Sequence, residues 1–107
     1  MNGTCLRFYM HENRRVHGHL LYEWLLERAK QLGIRGGTAF KAMASFGRHG
    51  VLHEAKFFEL AGDLTVEVEF LVTEQEAADL LAALSAERVR VFYAKVPAEF
   101  GQVEGEH

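Results

Sequence analysis

The stretch Leu64-Thr-Val-Glu-Val-Glu-Phe-Leu-Val72 runs without a break into Thr73-Glu74-Gln75-Glu76. The first nine residues alternate apolar and polar side chains, the period of a half-buried strand. The next four form a capping box, in which a threonine hydroxyl and a glutamate three residues later satisfy each other's orphan amides at a helix start. Ala77, Leu80, Leu81 and Leu84 then recur at helical spacing. A strand with one buried face is thus joined to an amphipathic helix by no loop at all. The helix must lie against the sheet that the strand belongs to.

The rest of the chain repeats this grammar. Thr4–His11 alternates, with Leu6, Phe8 and Met10 on one side and Cys5, Arg7, Tyr9 and His11 on the other. Asn13–Gly18 is polar and turn-like. From His19, Leu21, Trp24, Leu25, Arg28 and Leu32 trace a helical stripe, widened by Leu20 and Ala29, and Gly33 takes the left-handed position that ends such a helix. Thr38–Phe46 alternates, and Val89–Val96 forms a last strand that stops at Pro97. Residues 98–107 read as a frayed, flexible tail. The order is β-α-β-β-α-β, an α+β ferredoxin-like fold with two helices on one face of an antiparallel sheet. Residues 1–107 make one domain, long enough to bury about two-thirds of its unfolded surface.

Between strands 38–46 and 64–72 lies a connector punctuated by Gly47, Gly50 and Gly62. No tight hairpin turn joins the two strands directly, and a long connector in a small domain is either functional or disordered. We expect 48–61 to be mobile.

The uncovered sheet face should carry Arg7, Tyr9, His11, Lys41, Met43, Glu67, Glu69, Leu71, Arg90 and Phe92. One reading is a solvated face with cross-strand ion pairs. The other is an oligomer interface with Tyr9, Met43, Leu71 and Phe92 buried and Arg–Glu pairs setting register.

Charge and composition exclude several classes. A net charge of −3 gives no electrostatic case for nucleic acid. Full protonation of the six histidines would carry the chain to +3, so association can respond to acid. The single cysteine, Cys5, admits no internal disulfide and suits a reducing cytoplasm. No run approaches the ~20 apolar residues of a membrane span, and residues 1–20 lack a signal-peptide core. We expect a soluble, cytoplasmic, bacterial protein without membrane insertion.

Of the candidate chemistries, anion binding at Phe46-Gly47-Arg48-His49-Gly50 has the clearest physics. Two glycines let the backbone approach an anion closely, and Arg48 can pair with phosphate. The plainer reading is a loop base that needs glycine for its dihedrals. His17 and His19 are two apart and His49 and His53 four apart, but no metal-ligand frame is present. We assign no intrinsic metal site. Glu67 and Glu69 suit ion pairing with Arg7 and Arg90 better than acid–base work, Cys5 shows no sign of activation, and we expect no enzyme.

Residues 20–71 resemble an uncharacterised bacterial family of small PII-like proteins, a domain-of-unknown-function family in the nitrogen-regulatory PII superfamily. The resemblance rests on Leu21-Tyr22-Glu23-Trp24-Leu25, on Gly33, Gly36 or Gly37 and Thr38 leading into the second strand, on Phe46-Gly47, on His53 and on Gly62-Asp63-Leu64. It implies a homotrimer, with clefts between subunits for an adenine nucleotide and a loop between strands two and three that contacts a transporter or an enzyme. Ser45-Phe46-Gly47-Arg48 is similar to the Gly-Phe-Gly-Arg at the base of that loop, making Phe46-Gly47 its hinge. The ligand residues so implied are Phe46, Gly47, Arg48, His49, Arg88 and Arg90, and those of the partner loop Gly50, His53, Lys56 and Phe57.

The chain departs from the family pattern twice. Tyr9, Tyr22 and Tyr93 all lie outside 47–63, so no tyrosine-modification site is implied. Ser85-Ala86-Glu87-Arg88 replaces a glycine-and-lysine phosphate loop, which points to AMP or ADP rather than to a triphosphate. The alternatives are a metal- or anion-binding trimer resembling copper-tolerance proteins, and a ligand-free structural trimer.

Overall fold

A computed structural model describes residues 1–46, 52–54 and 64–105. Strand β1 spans Asn2–His11, β2 Arg15–Val16, β3 His19–Leu20, β4 Thr38–Lys41, β5 Ala44–Phe46, β6 Leu52–Glu54, β7 Thr65–Val72 and β8 Phe92–Glu99. Helix α1 spans Leu21–Gln31 and α2 Glu74–Ala86. The main sheet has the order β4-β7-β1-β8, antiparallel throughout, with β1 and β7 at its centre. This is the α+β, ferredoxin-like βαββαβ arrangement, with both helices on one face.

The covered face is the core. Leu6, Phe8 and Met10 of β1 and Val66, Val68, Phe70 and Val72 of β7 are buried against Leu21, Leu25 and Ala29 of α1 and Ala77, Leu80 and Leu84 of α2. Phe8 and Phe70 meet edge to face, ring centroids 6.1 Å apart, a favoured geometry for aromatic pairs. The capping box forms as expected: the Glu76 amide donates to Thr73 Oγ1 at 3.1 Å and the Thr73 amide to Glu76 Oε1 at 2.9 Å.

Both helices end in Schellman turns. In α1 the Gly33 amide donates to Lys30 O and that of Ile34 to Ala29 O, with Gly33 at φ 87°. In α2 the Arg88 amide donates to Ser85 O and that of Val89 to Leu84 O, with Arg88 at φ 58°. Gly37 has a different constraint. A Cβ there would drive into the buried ring of Phe70 and come within 3.0 Å of Leu26.

Four expectations need correction. First, the turn-like segment before α1 is a hairpin. β2 pairs with β3 through His17-Gly18, both at positive φ, and α1 begins at Leu21 rather than His19. Two consecutive positive φ values match the twist of a two-residue hairpin turn.

Second, strand 38–46 is two strands. β4 leaves the sheet after Lys41, and β5 pairs with β6 as a separate ribbon, Ala44 opposite Glu54 and Phe46 opposite Leu52. The rest of the connector lies outside the described residues.

Third, the facing of this strand is reversed. Phe40 stands opposite Glu67 on the uncovered face, whereas Lys41 stands opposite Val66 and pairs with Glu12 at 3.1 Å. Met43 lies beyond β4 and outside the sheet. All four β4 residues are exposed, so the strand offers no burial contrast to set its phase.

Fourth, the last strand runs Phe92–Glu99 rather than 89–96, passing through Pro97. β8 is an edge strand, where proline's missing N–H need not break a ladder. Pairing continues to Phe100, whose amide donates to Met1 O at 3.0 Å, so residues 98–100 are not a frayed tail.

Candidate functional site

At one end of the sheet, where β1 finishes and β7 and β8 begin, an open cleft of about 1170 Å³ is lined by Tyr9, Arg14, Ser45, Phe46, Thr65, Val89, Arg90, Val91 and Phe92. Four separate segments converge there. Tyr9, Thr65 and Phe92 come from the uncovered sheet face, where Tyr9 pairs with Phe92. Their rings sit 5.9 Å apart, tilted by 53°. Ser45 and Phe46 come from the β5–β6 ribbon, which is held to β7 by a 2.9 Å contact between the Ser45 and Thr65 hydroxyls. Arg14 follows β1, its backbone fixed by donation from its amide to His11 O and from the Leu21 amide to its carbonyl. Val89–Val91 follow the Schellman turn of α2, so that turn aims Arg90.

The lining residues include two arginines, three aromatics and two hydroxyl-bearing residues, and no acidic residue among those described. Such a cleft attracts an anion by charge and holds a flat, apolar ring by stacking. Phe46 is 72% exposed and Phe92 68%. Both rings are therefore free to be covered by a ligand or by another protein surface.

Beside the cleft, the uncovered face is knitted by polar pairs. Arg7 Nε lies 3.4 Å from Glu69 Oε2, an ion pair that lacks hydrogen-bond geometry. Partial burial, followed by a hydrogen bond to Glu67, pushes the Tyr9 phenol above its ordinary value. Glu67 thus serves Tyr9 and lends charge to Arg7. Phe40, Leu71, Phe92 and Val96 leave apolar surface around these pairs.

Of the ligand residues expected from sequence, Phe46 and Arg90 meet in the cleft. Arg88 is exposed and does not line it. Gly47, Arg48, His49, Gly50, Lys56 and Phe57 lie outside the described residues. His53 pairs through its backbone with Ser45. Arg14, Tyr9, Ser45, Thr65 and Phe92 are cleft residues that the sequence reading did not assign to a site. The signal for Arg14 was the Arg14-Arg15 pair directly after a strand end, on the same end of the sheet as the connector. Among the described residues no three His, Cys, Asp or Glu side chains could hold a metal ion. No helix of the described chain is long and apolar enough to cross a membrane.

Comparison with known proteins agrees with this architecture. The profile of the DUF190 family, described as "Uncharacterized ACR, COG1993", matches residues 3–92. A UPF0166 protein of Aquifex aeolicus is 37% identical over 71 residues, 66% of this chain and 68% of the relative. A UPF0166 protein of Methanocaldococcus jannaschii is 30% identical over 84 residues, 78% and 77% of the two chains. Two solved structures share the fold, each at 20% identity and a TM-score of 0.60. One is a candidate PII-like signalling protein from Thermus thermophilus, covering 91% of this chain and 89% of that one. The other is CPII, a nitrogen regulatory PII-like protein from Thiomonas intermedia bound to ADP, AMP and bicarbonate, covering 92% and 89%. The chain belongs to the DUF190 family and has a PII-like fold.

Proposed function

We propose that this protein is a PII-like regulator, not an enzyme, that assembles as a homotrimer and senses a small anionic ligand of the adenine-nucleotide class at its subunit interfaces. The observation that carries the reading is the cleft itself: Arg14 and Arg90 for a phosphate, with Tyr9, Phe46 and Phe92 for a base. Its volume of about 1170 Å³ exceeds the ~300–1,000 Å³ of an ordinary ligand pocket. An adjacent subunit laid on the apolar face would narrow it and supply the missing wall. The CPII neighbour, bound to ADP and AMP, lends the ligand class. In this reading Gly47, Arg48 and His49 complete the site, and the 47–63 connector, with Gly50, His53, Lys56 and Phe57, meets a transporter or an enzyme in the cytoplasm.

Ser85-Ala86-Glu87-Arg88 offers no glycine to cradle distal phosphates. AMP or ADP should therefore bind at least as well as ATP. Calorimetric titration with the three nucleotides tests this. Arg90→Ala or Arg14→Ala should weaken AMP binding by about 1.5–3 kcal/mol, the scale of a hydrogen bond to a charged group. No heat from any of the three at millimolar ligand would overturn the reading.

A further inference from the structure

The two arginines of the cleft stand on segments that are tied together at a distance from it. Arg14 directly precedes the β2–β3 hairpin, and Arg90 comes three residues after Glu87, the C-terminal cap of α2. His17, at the tip of that hairpin, places Nε2 3.1 Å from Glu87 Oε2. Its ring also lies 5.9 Å from that of Trp24 on α1. The hairpin is stiffened by Arg15, whose guanidinium donates to Gly18 O at 3.0 Å, and His17 itself is held at φ 51°. The path from one cleft arginine to the other thus runs Arg14, hairpin, His17, Glu87, Arg88, Arg90.

We infer that the His17–Glu87 pair is a protonation-sensitive clamp that sets the spacing of Arg14 and Arg90, making His17 and Glu87 positioning residues for the anion in the cleft. The inference rests on the cleft reading above. Histidines change charge between about pH 5 and 8. A protonated His17 forms a full ion pair with Glu87, whereas a neutral one keeps at most a hydrogen bond. The charged groups carried by the surrounding elements are Arg15 and His19 on the hairpin, Glu23, Glu27 and Arg28 next to or one turn from Trp24 on α1, and Arg88 beside Glu87. Glu87 is the carboxylate that contacts the ring. In the clamped arrangement both arginines line one cleft, so acidification favours anion binding.

Trp24 is the only tryptophan, and a protonated imidazole quenches a neighbouring indole, so the clamp can be read without any ligand. Emission of the whole protein should fall in one step on acidification. His17→Asn, which tolerates positive φ, should abolish the step, and Glu87→Gln, which removes the anionic partner that holds the ring, should change its depth. Titrations that coincide for all three proteins would overturn the clamp. The second arm is calorimetry with AMP at about pH 6 and about pH 8. Glu87→Gln should lose about threefold in affinity relative to wild type at the lower pH, within the range of an exposed ion pair, and less at the higher. Taking the ratio to wild type at each pH removes the titration of the phosphate and of the other histidines. Equal losses at both pH values, or none at the lower, would overturn the proposal. A wild type that takes up no AMP would overturn the cleft reading and the positioning role with it, and the fluorescence step would still decide the His17–Glu87 contact.

Discussion

Arg88 sits where a glycine would be the easier residue. At φ 58° its Cβ crowds the backbone, a conformation that costs an L-residue about 1–2 kcal/mol. α1 solves the same problem with Gly33. A side chain kept in a strained position is a reason to look for a function there. Arg88 is exposed and lies two residues from Arg90 of the cleft. Arg88→Gly should raise the melting temperature by about 4 °C, what ~1 kcal/mol gives in a domain of this size, and should weaken AMP binding. A gain in stability with unchanged affinity would place Arg88 outside the site. Thermal unfolding and calorimetry on the same variant give both numbers.

Among the elements, the α1–β4 connection is closely packed. Gly37 lets the chain cross the buried Phe70 ring, whereas Gly36 has no heavy atom near its absent Cβ. Gly37→Ala should therefore destabilise by about 1–3 kcal/mol, as overpacking does, and Gly36→Ala should be nearly neutral; chemical denaturation distinguishes them. The sequence motif could not separate these two glycines, because the difference lies in a ring contributed by β7. Signals confined to one element were readable: the capping box of Thr73 and Glu76, the alternation of β7 and the terminal Gly33 all stand as expected. Signals that need a neighbour were not. Pro97 looked like a strand stop until β8 proved to be an edge, and the facing of Phe40 depended on pairing with Glu67. His17-Gly18 lacks the asparagine or aspartate that usually marks a two-residue hairpin. The candidate cleft divides the same way. The resemblance implied Phe46 and Arg90, which both line it, whereas Arg14, Tyr9 and Thr65 join them only through the sheet.

At the scale of the whole molecule, the uncovered face decides the account. Phe40, Leu71, Phe92 and Val96 expose apolar surface around the Arg7–Glu69 pair. A monomer would leave that mixture wet, whereas a trimer would bury it and close the cleft beside it. Glu69→Lys puts a cation against Arg7 and should shift the protein toward monomer at micromolar concentration. An unchanged assembly would return the face to solvent. The central claim is a trimer with nucleotide sites between its subunits, and native mass spectrometry of the wild-type chain with AMP tests it most directly. The account predicts three chains per particle carrying up to three AMP molecules, with the ligand absent from any dissociated monomer. A particle of one chain, or a trimer that takes up no AMP at millimolar ligand, would contradict it.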